Sequence, residues 1–262
     1  MNALQTAATG MAAQDLHVQV IANNIANMAT TGYKRQRAEF ADLLYEHVRR
    51  IGTQSSDQGN ILPVGIDLGS GVKTVGTPRI MTQGSLTQTG NAFDLAITGE
   101  GFFKIQLPDG TFSYTRDGSF MLDGTGRMVT PQGYVVQPTI TVPQNATGFT
   151  VNQQGQVSVI PVGSTTPTIL GQLVITRFIN QAGLLSTGDN LFQETPASGQ
   201  PQDGLAGTNG AGTIQQASLE QSNVDSVTEI SDLIAAQRAY EMNSKVVTAS
   251  DQMLSALIAL QR

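Results

Sequence analysis

The helix breakers of this chain are confined to its middle. All ten prolines fall between Pro63 and Pro201; of the 28 glycines only Gly10 precedes Gly32, and none follows Gly212. Proline removes a backbone donor and glycine loses the most chain entropy on ordering, so neither suits a helix interior. Long helices are therefore open to the two ends and closed to the centre. That distribution predicts an α+β fold. Discontinuous N- and C-terminal helices make one coiled-coil-like module, and the breaker-rich centre makes a mainly antiparallel β body.

The periodicity of the ends agrees. Leu4, Met11, Val18 and Ile25 are spaced by seven, with Ala7 and Ile21 on the half-heptad steps and Gln14 between them. This is a helical seam of coiled-coil type. Thr30-Thr31-Gly32 is its expected stop, with Gly32 as a left-handed terminator. The C-terminal helix, expected from Asn223 to Gln261, carries two apolar stripes. One holds Ile230, Leu233, Tyr240, Val247, Leu254 and Ile258, with Gln237, Ser244 and Asp251 as polar members at seven-residue spacing. The other holds Ala235, Ala239, Met242, Val246, Ala249, Met253, Ala256 and Leu260. A helix on the surface of a monomer needs one such stripe. At about 1.5 Å per residue the two helices reach roughly 40 and 55 Å, so the shorter cannot cover both stripes of the longer. The surplus predicts contact with other chains.

In the centre, short apolar runs alternate with Asp-Gly and Gln-Gly pairs. Candidate strands are 93–98, 102–107, 111–115, 119–122, 128–130, 134–137, 149–152, 156–160 and 173–179. Such punctuation predicts an antiparallel meander or small barrel. The expected division is a terminal helical module at 1–32 and 223–262, connecting segments at 33–71 and 197–222, and a β body at 72–196. The Gly- and Ser-rich stretches 53–71 and 197–212 are expected to be loops.

The chain has a net charge of -6 and only 13% charged residues, which excludes an electrostatic case for nucleic acid or an anionic membrane. With no cysteine, disulfides and thiol chemistry are excluded. No stretch approaches the ~20 apolar residues of a membrane span, so direct membrane insertion is not expected. No basic n-region precedes Lys34, so export without a cleaved signal peptide is expected.

Catalytic constellations are scarce. His17 and His47 lie in segments read as helical and lack a ligand or acid at useful spacing. Asp109, Asp117 and Asp123 each precede a glycine and are explained by turn chemistry. The strings at Gly69–Gly71 and Gly99–Gly101 lack the context of a nucleotide site. Lys34, Arg35 and Arg37, followed by Glu39, Asp42 and Glu46, read as a solvated or intersubunit ion-pair face on a helix. No enzyme activity, cofactor or metal is expected.

Two end segments carry a resemblance. "IANNIANMATTGYKR" at 21–35 and "SNVDSVTEISDLIAAQRAYEMNSKVVTASDQML" at 222–254 resemble the ends of the bacterial flagellar axial proteins of rod, hook and hook–filament junction. The middle, at 43–69 and 68–138, is most similar to the distal-rod members. One departure is Ala29 after Met28, where the family usually carries Asn-Thr. The resemblance implies a type III-exported subunit that polymerises with itself in the periplasm. It implies a hollow, stiff drive shaft that also serves as an export conduit. Proximal rod subunits would lie below it and hook protein above, within peptidoglycan-layer and outer-membrane rings.

Asn23, Asn24 and Asn27 are poor helix formers close to a helix end. Packed among identical helices, their amides are expected to fix register across subunits, as single polar residues do in coiled coils. The predicted interface is thus Leu4, Met11, Val18, Asn23, Asn24, Ile25 and Asn27 with Ile230, Leu233, Gln237, Tyr240, Ser244, Val247, Asp251 and Leu254. A rod-type loop is expected to dock Ile61, Leu62, Val64, Ile66 and Leu68 on a neighbour. Competing readings are a proximal rod or hook-type sibling, a phage-tail tube protein, and a periplasmic carbohydrate-binding β protein with Tyr114 and Tyr134 as sugar platforms.

Overall fold

A computed structural model describes residues 2–49, 64–163 and 166–260. Both breaker-free ends are helical: α1 is Asn2–Ala26 and α2 is Ser226–Leu260. Asp225 caps α2. Its carboxylate accepts the N–H groups of Val227 and Thr228 and the Thr228 hydroxyl, satisfying donors the first turn leaves open. α1 stops at Ala26, ahead of the expected terminator, and residues 27–32 make a turn. Gly32 is left-handed there, at φ 67°. A Cβ on it would stand 2.8 Å from the backbone nitrogen of Asp117, so conformation and packing both require glycine.

The chain forms two compact units. The first comprises Met1–Ile25, Gln36–Pro78 and Asp225–Arg262. Beside the helices it contains β1 (Glu39–Asp42), β2 (Tyr45–Arg49), β3 (Ile66–Gly69) and β4 (Val72–Gly76). β1 pairs with β4 and β2 with β3, both antiparallel. The Asn24 side chain bonds Glu229 and Gly10 lies against Asn243. Fourteen residues separate these positions on each helix, so α1 and α2 run antiparallel. The other side of α1 meets the strands: the Thr9 hydroxyl accepts the Val72 N–H, and His17 packs edge-on to Phe40.

The second unit comprises Ala26–Arg35 and Arg79–Val224. Its strands are β5 (Leu86–Gln88), β6 (Leu95–Thr98), β7 (Phe102–Gln106), β8 (Phe112–Thr115), β9 (Met121–Leu122), β10 (Met128–Val129), β11 (Val135–Gln137) and β12 (Ala146–Val151). They continue with β13 (Gln156–Pro161), β14 (Thr168–Gln172), β15 (Val174–Arg177), β16 (Leu185–Gly188), β17 (Leu191–Gln193), β18 (Gln202–Leu205), β19 (Thr213–Gln216) and β20 (Ser218–Glu220). Every strand pairing is antiparallel. β7 is central: it takes β8 on one edge and β11 and β15 end to end on the other. β12, β13 and β14 form a separate three-stranded sheet. Along β13 the side chains alternate, with Val157 and Val159 buried and Ser158 half-buried between them, the period of two that one covered face demands. The core gathers Leu95, Ile97, Phe103, Ile105, Phe120, Val157, Leu173, Ile175 and Ile214. A second cluster stacks Phe102, Tyr114, Phe178, Leu184 and Phe192.

Several expectations need correction. The stretches read as loops contribute strands: β3 lies in 53–71 and β18, a member of the main sheet, in 197–212. β4 belongs to the helical unit, while β19 and β20 close the body, so the body does not run from 72 to 196. His47 sits on β2 rather than on a helix. Tyr114 is fully buried against Phe178 and cannot serve as a sugar platform. Apolar pattern marked the core strands, but polar edge strands such as Thr213–Gln216 carry no such pattern.

Candidate assembly interface

The row that α2 turns toward α1 is one residue away from the row expected to meet other subunits. Buried or half-buried positions recur at Glu229, Leu233, Ala236, Asn243, Val247 and Ser250. The anchoring row is Glu229, Ala236, Asn243 and Ser250, not Ile230, Gln237, Ser244 and Asp251. One residue on a helix is a rotation of about 100°, so the predicted row turns away. Ile230, Gln237, Tyr240, Asp251 and Leu254 are exposed; Leu233, Ser244 and Val247 are half-buried. The apolar row is left outward, and the row that meets α1 is small and polar. Its anchor is the carboxylate of Glu229, buried against the Asn24 amide at 3.2 Å.

Asn24 is also the clearest departure among the three amides. It is buried in its own chain, donates to the Gln36 carbonyl at 2.9 Å and accepts the Gln36 N–H at 2.9 Å. Both of its N–H donors are thus spent inside its own chain, on Gln36 and Glu229. Asn23 is exposed; Asn27 is half-buried, and its side-chain oxygen accepts the Thr30 hydroxyl. Leu4, Met11, Val18 and Ile25 are half-buried.

What remains uncovered on α2 is large and apolar. Ile230, Ile234, Met242, Val246, Met253 and Ile258 are all exposed, at 46 to 63%. Monomeric proteins scatter single apolar residues over their surface, but a helix that leaves this many exposed along its length marks an interaction site. The β2–β3 hairpin adds Tyr45, Val48, Val64, Ile66 and Leu68, all exposed. Ile61 and Leu62 lie outside the described residues.

The body contains a charged site that local pattern did not reveal. Lys34 and Arg116 are almost fully buried and converge on Glu220, which is completely buried. Lys34 Nζ lies 2.5 Å from Glu220 Oε1, and Arg116 Nε 2.9 Å from Oε2. The Gly84 N–H donates to Oε1, Lys34 donates to the Thr82 carbonyl, and Arg116 Nη1 donates to the carbonyls of Gly99 and Gly101. Burial pulls the Lys34 ammonium below its ordinary value, Glu220 pushes it back up, and Arg116 pulls it down again. Residues 34–46 are not helical, and of the ion-pair face expected there Arg37 and Glu39 do pair at the surface, while Lys34 turns inward. No sequence spacing could pair Lys34 with a partner 186 positions away. The Asp-Gly corners are as expected: in each, the carboxylate of Asp109, Asp117 or Asp123 accepts the N–H and hydroxyl two residues on.

The chain, a split helical pair with an antiparallel β body, belongs to the rod-and-hook class of flagellar proteins, as the family comparisons show. Residues 4–34 match "Flagella basal body rod protein", residues 96–159 "Flagellar hook protein FlgE/F/G D1 domain", and residues 215–260 "Flagellar basal body rod FlgEFG protein C-terminal". Within that class, the chain belongs to the family of flagellar basal-body rod protein FlgG. It is similar to members from Caulobacter vibrioides (52% identity, covering 100% of both chains) and Borreliella burgdorferi (47%, covering 100% of this chain and 99% of the relative). The member from Bacillus subtilis is 37% identical, again over the full length of both. The chain is accordingly a structural subunit of the flagellar basal-body rod.

Proposed function

We propose that this subunit polymerises with copies of itself into the hollow, rigid distal rod, where it transmits torque and lines an export conduit without catalysing any reaction. The observation that carries this reading is the exposed apolar face of α2, which α1 does not cover. Burying such a face between copies gains about 25 cal/mol per Å². Two further docking surfaces support stiffness: the β2–β3 hairpin and the adjoining segment that holds Ile61 and Leu62 tie a subunit to its neighbour. Its other partners on this reading are proximal rod subunits, hook protein, the peptidoglycan-layer and outer-membrane ring proteins, and the type III export apparatus. On this reading the subunit works in the periplasm.

The test is Met242→Glu with Val246→Glu. Both side chains are exposed in the single chain, so the folded subunit tolerates the change, whereas two carboxylates at a buried contact do not. Purified variant stays monomeric at concentrations, roughly 100-fold higher, where the parent forms tubes, with an unchanged unfolding midpoint. Tube formation at the parental concentration removes the face from the interface.

A further inference from the structure

The segment 213–223 closes the β body in several independent ways. β19 supplies the partner of β6, and β20 the partner of β5. Ile214 enters the core, fully buried. The main-chain oxygen of Glu220 accepts the Gly32 N–H at 2.8 Å. Asn223 accepts the Arg35 N–H and donates to the carbonyls of Ile80 and Thr82. Above all, Glu220 is the only carboxylate that pairs with Lys34 or Arg116 among the described residues.

The charge arithmetic is severe. Lys34 and Arg116 are 1% and 4% exposed. Their remaining acceptors are the carbonyls of Thr82, Gly99 and Gly101, which are neutral. Without Glu220 the two buried cations have no carboxylate paired to them, since Glu100, which lines the same cavity, is paired with Arg177, and burial of unpaired charge is costly. The compensating residue is also among the last of the body to emerge from any process that feeds the chain out N-terminus first.

We propose that residues 213–223 are a latch with Glu220 as its bolt: the β body completes its folding only when this segment docks, so a partly emerged chain stays open until residue 220 is free. Lys34 reaches Glu220 from the N-terminal side, Arg116 from the body's interior, and Glu220 arrives from the C-terminal side. The three are joined only in the complete chain.

The test compares Glu220→Gln with Glu100→Gln in the full-length protein; Glu100 is an exposed acid paired with Arg177. In denaturant unfolding, Glu220→Gln lowers the folded-to-unfolded ratio on the order of 100- to 1000-fold, and Glu100→Gln by no more than about fivefold. The double variant Lys34→Met/Glu220→Gln removes one stranded cation and regains at least about tenfold of that loss. In pulse-labelled refolding of the parent protein, amides of β7 and β8 gain protection in the same phase as those of β19 and β20. The latch is refuted by an effect of Glu220→Gln no larger than that of Glu100→Gln, by a double variant no more stable than the single, or by β7 and β8 protected in an earlier phase. Should Glu220→Gln alone fail to fold, the double variant and the refolding order still decide.

Discussion

The body and the helical unit use the same kinds of residue in opposite ways. In the body the large apolar side chains are inside, with Ile105, Ile175 and Leu95 completely buried, and even the deepest charges are paired. In the helical unit the inward row of α2 is Glu229, Ala236, Asn243 and Ser250, while Ile230, Met242 and Met253 face outward. A chain selected to be a finished monomer would show the reverse on its helix. The body is therefore a complete fold, while α2 keeps an apolar surface that the described residues do not cover.

That contrast can be broken at several levels. The largest expected effect separates the two regions directly. Ile105→Ala empties a fully buried site on β7 and costs the isolated subunit about 2–5 kcal/mol. Ile234→Ala removes the exposed counterpart on α2 and costs the same subunit within about 0.5 kcal/mol. Denaturant unfolding of monomer reads both, and equal costs would erase the distinction. Next comes Asn24→Ala, which strips the Gln36 main chain and Glu229 of a buried partner, worth about 1–3 kcal/mol. Hydrogen exchange at the Gln36 amide should accelerate in the monomer. A variant that exchanges normally as monomer but fails to assemble would return Asn24 to the subunit interface.

The smallest effects are set by pH. Thr111 holds the Asp109 carboxyl below its ordinary 3.8, and Thr125 with Arg127 does so for Asp123. Burial raises Asp203, but hydrogen bonds from Lys104 and Thr176 outweigh it and the net direction is down. Depressed carboxyls contribute stability that is complete above 3.8 and lost as pH falls through their folded values. The unfolding midpoint should thus be level near neutrality and drop below about pH 4. At the other end, burial pushes the Tyr114 phenol up to about 12, with Glu194 and Asp203 adding to it. A raised phenol stabilises below 10 and loses that contribution as pH rises toward 12. Phenolate absorbance should show Tyr114 ionising late, and Tyr114→Phe should abolish that late step.

How much was legible follows from where the information sits. Breaker distribution and local periodicity are properties of short windows, and they located both helices and the strands at 102–106, 112–115 and 156–161. The Asp-Gly corners were readable because the turn carries its own hydrogen bonds. The edge strands at 202–205 and 213–216 were not, since Gln, Asp, Gly and Thr take their extended form from a partner strand and not from their own preference. Which row of α2 meets α1 was not legible, because Asn24 and Glu229 set it and their pairing spans 205 positions. Lys34 was misplaced for the same reason: its environment is made by remote segments.

The antiparallel register of the helices leaves a protrusion. With Gly10 beside Asn243 and Asn24 beside Glu229, the first residues of α1 stand opposite roughly position 251, while α2 continues to Leu260. About nine residues, some 13 Å at the usual rise, overshoot the end of α1. Met253, Leu254 and Ile258 sit on that stub, all open to solvent. A greasy peg at one end makes the helical pair polar along its own axis.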